Sequence, residues 1–123
     1  ISISQRIKTA VEHRSKEYTE CKVTDIVVSM ETNSDPIRYI VSVYIEYGLN
    51  NSLDKTQEMV DIYSDDMAAY LAQTYDSLSE IYVFWTVPKY FENNMAAKCS
   101  YHIHDEQAFI ADKIGLLYQN TAI

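Results

Sequence analysis

Two histidines placed two positions apart are the chain's most direct candidates for metal chemistry. His102 and His104 fall in a segment where apolar and polar residues alternate, so both imidazoles should project from one face of a strand. Two imidazole nitrogens in that arrangement can bind one zinc ion, with Asp105 as a nearby carboxylate. Such a site needs a third ligand, and His13 is the only other histidine. We therefore predict no metal and no cofactor, the alternative being a zinc site at His102 and His104.

The two cysteines, Cys21 and Cys99, permit either one disulfide or two free thiols. Their wide separation excludes a zinc knuckle and a Cys-x-x-Cys redox motif, because both require closely paired cysteines. Cys99 falls on the apolar side of its predicted strand, which favours a small buried side chain. The sequence identifies no base that would activate either thiol as a nucleophile. We predict no catalytic residue and expect that the protein is not an enzyme.

An acidic row at helical spacing is the chain's calcium candidate. Its members are Asp54, Glu58, Asp61 and Asp65. A calcium loop gathers its oxygen ligands from a tightly curved backbone with a central glycine, whereas a regular helix spreads its carboxylates apart. The row is therefore predicted to be the solvated face of an amphipathic helix.

Composition excludes several classes of function. The chain has 123 residues, of which 18 are acidic and 10 basic, so the formal net charge is −8. That charge repels phosphate backbones, and we predict no binding to nucleic acid. The two glycines, Gly48 and Gly115, stand alone, which excludes a glycine-rich phosphate loop. The 11 tyrosines are typical of surfaces that meet a partner, although tyrosine is also common in half-buried strands.

Hydrophobic periodicity predicts the elements that position these residues. Apolar residues at helical spacing predict helices over residues 3–18 and 54–76. Period-two alternation broken by turn-forming residues predicts hairpins within residues 23–47 and 79–104. Residues 105–118 fit either a helix, which we favour, or a further strand. No apolar run is long enough to span a membrane.

The order helix, strand, strand occurs twice, which predicts an α+β fold with αββ-αββ order. We expect a single domain over residues 1–123. Two helices packed on one face of an antiparallel sheet of at least four strands is the simplest layered arrangement for these elements.

If the helices cover one face of this sheet, the other face is aromatic. Alternation places Tyr44, Tyr82, Phe84 and His102 on that second face. An aromatic patch of this kind exceeds what a monomer normally leaves exposed, so it predicts a binding surface for a protein or a small ligand, or a homodimer contact. The alternative is that the C-terminal segment or a neighbouring domain covers the patch.

Three segments of the chain resemble small lipoprotein-type domains of Gram-positive bacteria. They run from Ser42 to Tyr47, from Tyr63 to Asp66 and from Glu80 to Lys89, within a similarity over roughly residues 20–105. The resemblance implies an extracytoplasmic domain of unknown function at the cell surface. It also implies attachment to the membrane only through a lipid-modified cysteine, on an N-terminal segment that would precede Ile1.

Two functions follow as expectations. The first is a non-catalytic binding module associated with the cell envelope, which uses the exposed sheet face. The alternative is an acidic inhibitor or immunity-type protein that blocks a basic enzyme, because complementary charge accelerates such an association.

Overall fold

The computed structural model describes residues 1–119, which form two layers, helices on one side and a sheet on the other. The elements in chain order are α1 (Ile3–Ser15), β1 (Cys21–Met30), β2 (Tyr39–Tyr47), α2 (Leu53–Thr74), β3 (Leu78–Thr86), β4 (Met95–His104), β5 (Gln107–Ile114) and a 3-10 helix (Leu116–Tyr118). The five strands lie in the order β1-β2-β3-β4-β5. The predicted α+β fold and αββ-αββ order are confirmed, with β5 as an additional strand.

Both helices begin at a serine N-cap. The hydroxyl of Ser2 accepts a hydrogen bond from the backbone N–H of Gln5, and that of Ser52 accepts one from Lys55, each at 3.1 Å. The N-cap of α2 is therefore Ser52, because its hydroxyl satisfies an amide that has no partner within the helix. Neither helix within residues 1–119 has the length and apolar character needed to cross a membrane.

The sheet is mostly antiparallel, with one parallel junction. The pairs β1–β2, β3–β4 and β4–β5 are antiparallel, whereas β2 and β3 run side by side in the same direction. A hairpin cannot join parallel strands, and α2 supplies the crossover connection that they require. The two αββ halves consequently meet in the middle of one sheet, where β2 of the first half pairs with β3 of the second.

The C-terminal segment is a strand, and the helix we favoured over residues 105–118 is not formed. Asp105 and Glu106 both have positive φ angles, of 51° and 60°, so they make a two-residue turn that pairs β5 directly with β4. Ala111 has no partner on β4 and forms a bulge that interrupts the period-two pattern. This extra residue gives Ile110 and Ile114 a spacing that resembles one face of a helix.

The core lies between the helices and the sheet. One row of side chains across four strands consists of Ile26, Val43, Val83 and Cys99, all at most 8% exposed. Trp85 is fully buried on the same face, and its indole Nε1 donates to the hydroxyl of Ser64 on α2 at 2.7 Å. The buried indole N–H therefore has an acceptor, as buried polar groups require.

One carboxylate, Asp66 of α2, joins the two helices. Arg14 of α1 donates to both of its oxygens, at 2.8 and 2.6 Å, and the hydroxyl of Tyr18 donates at 2.7 Å. The Arg14 hydrogen bonds hold the pKa of Asp66 below its ordinary value, while burial and the Asp66 contact raise the pKa of Tyr18. α1 ends at Ser15 rather than at Tyr18, because the chain turns there and carries the Tyr18 ring onto Tyr63, with centroids 4.4 Å apart.

The substitution Asp66→Ala is expected to lower the free energy of unfolding by about 2 kcal/mol at neutral pH. It leaves a buried phenol without an acceptor and a guanidinium without its partner. Because the pKa of Asp66 is lowered on folding, its contribution is present above the unfolded carboxyl pKa of about 4 and is lost as the pH falls through the folded value. Urea denaturation measured down to acidic pH should show the two proteins converging.

The matched control is Glu58→Ala on the same helix, where an exposed ion pair with Lys55 at 3.3 Å is removed. Its effect should stay within about 0.5 kcal/mol. Equal stabilities of the wild type and Asp66→Ala at neutral pH would show that Asp66 does not join the helices.

Candidate binding surface on the open sheet face

The face of the sheet that points away from both helices is called the open face here. No element within residues 1–119 packs over it, and the 3-10 helix that follows β5 lies on the helix side, where Leu117 is 1% exposed. Of the four residues predicted for this face, Tyr44, Tyr82 and Phe84 are half-buried and His102 is exposed. The structure therefore places all four on the open face.

Three of these residues form one stacked group, named the aromatic ladder (Tyr44, Phe84 and Tyr82). The rings of Tyr44 and Phe84 are nearly parallel, with centroids 4.6 Å apart, because the two residues are register partners on β2 and β3. Tyr82 lies 6.4 Å from Phe84 on the same strand. His102 is the register partner of Glu80, so it borders the aromatic ladder without being part of it.

Lys98 of β4 extends the aromatic ladder by one strand, which the sequence reasoning missed. Its ammonium nitrogen lies 5.2 Å from the centre of the Tyr82 ring and 5.9 Å from that of Phe84. An ammonium group is attracted to the negative face of an aromatic ring at such distances. The signal in the sequence was the period-two alternation of β4, in which Lys98 shares a face with His102.

Four carboxylates, named the carboxylate rim, surround the aromatic ladder on the open face. They are Asp25, Glu46, Glu80 and Asp112. Asp25 on β1 is the register partner of Tyr44, and Asp112 on β5 lies in the same row as Tyr82.

Glu46 and Glu80 occupy the two remaining sides of the aromatic ladder. Glu46 lies two residues beyond Tyr44 on β2, and Glu80 lies two residues before Tyr82 on β3. The Tyr82 hydroxyl donates to Glu80 at 2.6 Å, and this hydrogen bond, together with burial, raises the pKa of Tyr82. Tyr82 therefore stays neutral and acts as a hydrogen-bond donor on this surface.

The histidine pair does not gain the third ligand that zinc would require. His102 and His104 both lie on the open face, and the nearest carboxylate contact is from His104 to Asp105 at 3.4 Å, between two exposed side chains. Among residues 1–119, no group of three or more histidine, cysteine, aspartate or glutamate side chains is arranged to hold a metal ion.

The cysteines are two free thiols. Cys21 lies on β1 and Cys99 on β4, so two strands separate them and their backbones are at least roughly 14 Å apart. That distance is too long for a disulfide. Burial raises the pKa of Cys21 to about 12 and also raises that of Cys99. Both side chains are therefore protonated thiols, which are poor nucleophiles.

The acidic row on α2 is only partly a solvated face, contrary to the prediction. Asp61 accepts hydrogen bonds from Tyr118 at 2.6 Å and Lys113 at 3.3 Å, and Asp65 accepts one from Tyr101 at 2.6 Å. Lys113 also lies 3.1 Å from Asp65 and bridges the two carboxylates. These five residues, named the α2–β5 network, tie the last strand and the 3-10 helix to α2.

The donors of the α2–β5 network hold their protons firmly. Burial, followed by hydrogen bonding to Asp65 and Asp61, raises the pKa values of Tyr101 and Tyr118. Burial alone would lower the pKa of Lys113, but the two aspartates outweigh it and the pKa is raised. All three donors therefore keep their protons at neutral pH. No buried side-chain nitrogen or oxygen in the described part of the chain lacks a hydrogen-bond partner.

Two clefts on the described part of the surface lie away from the aromatic ladder. One of about 610 Å³ is bordered by Arg38, Asp76 and the β4–β5 turn. Another of about 370 Å³ lies between α1 and the end of α2, beside His13, Tyr70 and Tyr75. Neither is lined by a residue of the aromatic ladder. The open face is thus a broad surface rather than a small-molecule cavity.

Comparison with known proteins gives no family. No protein-family model matches the chain. No curated protein matches it either. Among solved structures, the chain is similar to a GH3.15 acyl acid amido synthetase with a TM-score of 0.30 and 15% sequence identity. That alignment covers 67% of this chain and 16% of the synthetase, a likeness too low to support any argument about activity.

Proposed function

We propose that this protein is a non-catalytic binding module that engages a protein partner through its open face. The observation that carries the proposal is the aromatic ladder, which the described residues leave uncovered while the other face of the same sheet is buried. Large aromatic side chains grouped on an exposed surface are typical of protein interfaces.

The shape of the open face favours a protein over a small ligand. Five strands at the usual spacing span roughly 19 Å from β1 to β5. Apolar side chains on both edges add to this width, since Val27 on β1 and Phe109 on β5 are exposed on the same face. A surface of this breadth matches the roughly 800 Å² that one partner contributes to a standard protein interface.

We also propose that the module acts at the cell envelope. Its support is the resemblance of three segments to small lipoprotein-type domains of Gram-positive bacteria. The alternative function, an acidic inhibitor or immunity-type protein that blocks a basic enzyme, would use the same surface. The carboxylate rim around the aromatic ladder favours it.

The test is affinity capture followed by binding measurements with the purified partner. The double variant Tyr44→Ala/Phe84→Ala removes the stacked pair and should weaken binding by about tenfold or more, since central aromatic residues dominate interface energy. The matched control is Ile62→Ala, which removes an exposed apolar side chain from α2. It should bind as the wild type does. Equal affinity of the wild type and the double variant for every captured partner would refute the proposal.

A further inference from the structure

We infer that the partner of the open face is a basic protein segment, with lysine or arginine side chains between apolar ones. This inference rests on the proposed function and specifies the chemistry of its partner. The carboxylate rim carries it, because the rim places a negative charge on each of four sides of the aromatic ladder.

The carboxylates of the rim differ from those of the helix layer in forming no salt bridge, although Lys22 is the register partner of Glu46. On the helix side, Asp61, Asp65 and Asp66 each lie within 3.3 Å of a lysine or arginine nitrogen. Within residues 1–119, by contrast, no member of the carboxylate rim forms a salt bridge. The open face therefore presents negative charges that a cation from outside the chain can neutralise.

Two lysines on the open face reduce this charge without cancelling it. Lys22 and Lys98 oppose the four carboxylates of the rim, which leaves two negative charges on the strands of this face. Lys98, which is half-buried, already lies over two rings of the aromatic ladder, so these rings can hold a cation. A partner's lysine or arginine would be attracted both by the rings and by the carboxylate rim.

The same charges argue against a second copy of this chain as the partner. Two copies meeting through their open faces would bring two carboxylate rims together, and each copy carries a net charge of −8. Like charges across an interface oppose association, whereas complementary charges accelerate it. The cations of a basic segment can neutralise the carboxylates of the rim, and its apolar residues can pack on the aromatic ladder.

The experiment uses two synthetic peptides as probes, one alternating arginine with leucine and one alternating glutamate with leucine. Each is titrated into isotope-labelled protein at low salt while backbone amide NMR shifts are followed. The arginine peptide should shift amides of β2, β3 and β4, and the glutamate peptide should not. Raising NaCl from about 20 mM to about 500 mM should weaken binding, because the Debye length falls severalfold.

A charge-neutralising variant of the rim tests the role of the carboxylates. The triple variant Glu46→Gln/Glu80→Gln/Asp112→Asn should weaken binding of the arginine peptide by about tenfold, from roughly two- to threefold for each exposed ion pair. Circular dichroism checks that the variant keeps the wild-type fold.

The matched control changes the net charge equally on the helix side. The triple variant Glu17→Gln/Asp54→Asn/Glu58→Gln neutralises three exposed carboxylates there and should change the affinity by less than about twofold. If this control weakens binding as much as the rim variant does, the attraction is general and the inference is wrong. Equal binding of the glutamate peptide, or a dimer of the wild type formed through the open face, would also overturn it.

Failure of this inference is distinguishable from failure of the proposed function. If the rim variant binds the captured partner normally while Tyr44→Ala/Phe84→Ala does not, the open face is a binding surface whose partner is not selected by charge. If both variants bind that partner as the wild type does, the open face is not the binding surface, and the function and the inference fail together.

Discussion

Substitution of Gly115 by alanine is expected to destabilise the protein by roughly 3 kcal/mol or more. Gly115 has a φ angle of +130°, a backbone conformation that residues with a Cβ rarely adopt. A Cβ at this position would lie 2.5 Å from the carbonyl oxygen of Ala96 and 2.9 Å from the α-carbon of Ala97. Both contacts are with β4 backbone, which cannot move aside without disturbing the sheet.

The loss of stability caused by Gly115→Ala should appear first around β5 and only then in the rest of the protein. Gly115 connects β5 to the 3-10 helix that carries Leu117 into the core and Tyr118 to Asp61. Urea denaturation would measure the loss of stability, and hydrogen exchange would show loss of protection first in β5.

Gly48→Ala is the comparison for this prediction. Its added Cβ would lie 2.9 Å from the carbonyl oxygen of Glu20, but its φ angle is not positive, so the cost should be smaller. A Gly115→Ala protein within about 1 kcal/mol of the wild type would contradict the described geometry.

Stability is expected to fall steeply above about pH 10. Three tyrosine hydroxyls donate to carboxylates on α2: Tyr18 to Asp66 at 2.7 Å, and Tyr101 and Tyr118 to Asp65 and Asp61 at 2.6 Å each. Burial and the neighbouring carboxylate raise the pKa of all three phenols in the folded state. The unfolded chain ionises its tyrosines near pH 10, whereas the folded chain keeps these three neutral.

The sign and size of this effect follow from proton linkage. A group whose pKa is raised on folding contributes stability below its unfolded pKa, and that stability is lost as the pH rises above it. Each fully protected phenol lowers the free energy of unfolding by about 1.4 kcal/mol per pH unit, so three give at most about 4 kcal/mol per pH unit. Lys113 adds a loss of the same sign, because its pKa is also raised.

The measurement combines urea denaturation with absorbance at the phenolate band from neutral to strongly alkaline pH. These three hydrogen-bonded tyrosines should ionise only as the protein unfolds, after more exposed tyrosines have titrated. Tyr118→Phe should reduce the slope of the free energy of unfolding against pH by about one third, since it removes one of the three phenols. Stability that stays constant above pH 10 would show that these hydroxyls are not protected.

The sequence was sufficient for features that depend on local periodicity. Alternation in β2 and β3 placed Tyr44 and Phe84 on the same side of the sheet, and the structure brings their rings into contact. It was also sufficient for the fold class, because apolar residues recur at helical spacing in α1 and α2 and at period two in the strands.

Features that depend on pairing over long distances could not be predicted. The order of elements along the chain does not determine whether β2 and β3 are neighbours in the sheet, so their parallel pairing was not predicted. The bulge at Ala111 gives the apolar residues of β5 a spacing that resembles a helix. The pairing of β5 with β4 was therefore not predicted, and neither was the contact of Lys113 with Asp61 and Asp65. An acidic row on a helix looks solvated until the strand that packs beside it is known.

The parallel junction between β2 and β3 has a consequence for engineering. The two strands pair from Tyr39 opposite Leu78 to Glu46 opposite Thr86, and each comes from a different αββ half. Cleavage of the loop at residues 48–52 would give two fragments, each with a central strand that has lost one of its two partners and with an incomplete core. Each fragment supplies what the other lacks, which makes the chain suited to fragment complementation. Because Tyr44 and Phe84 would then belong to different fragments, the surface they form would exist only in the reassembled protein.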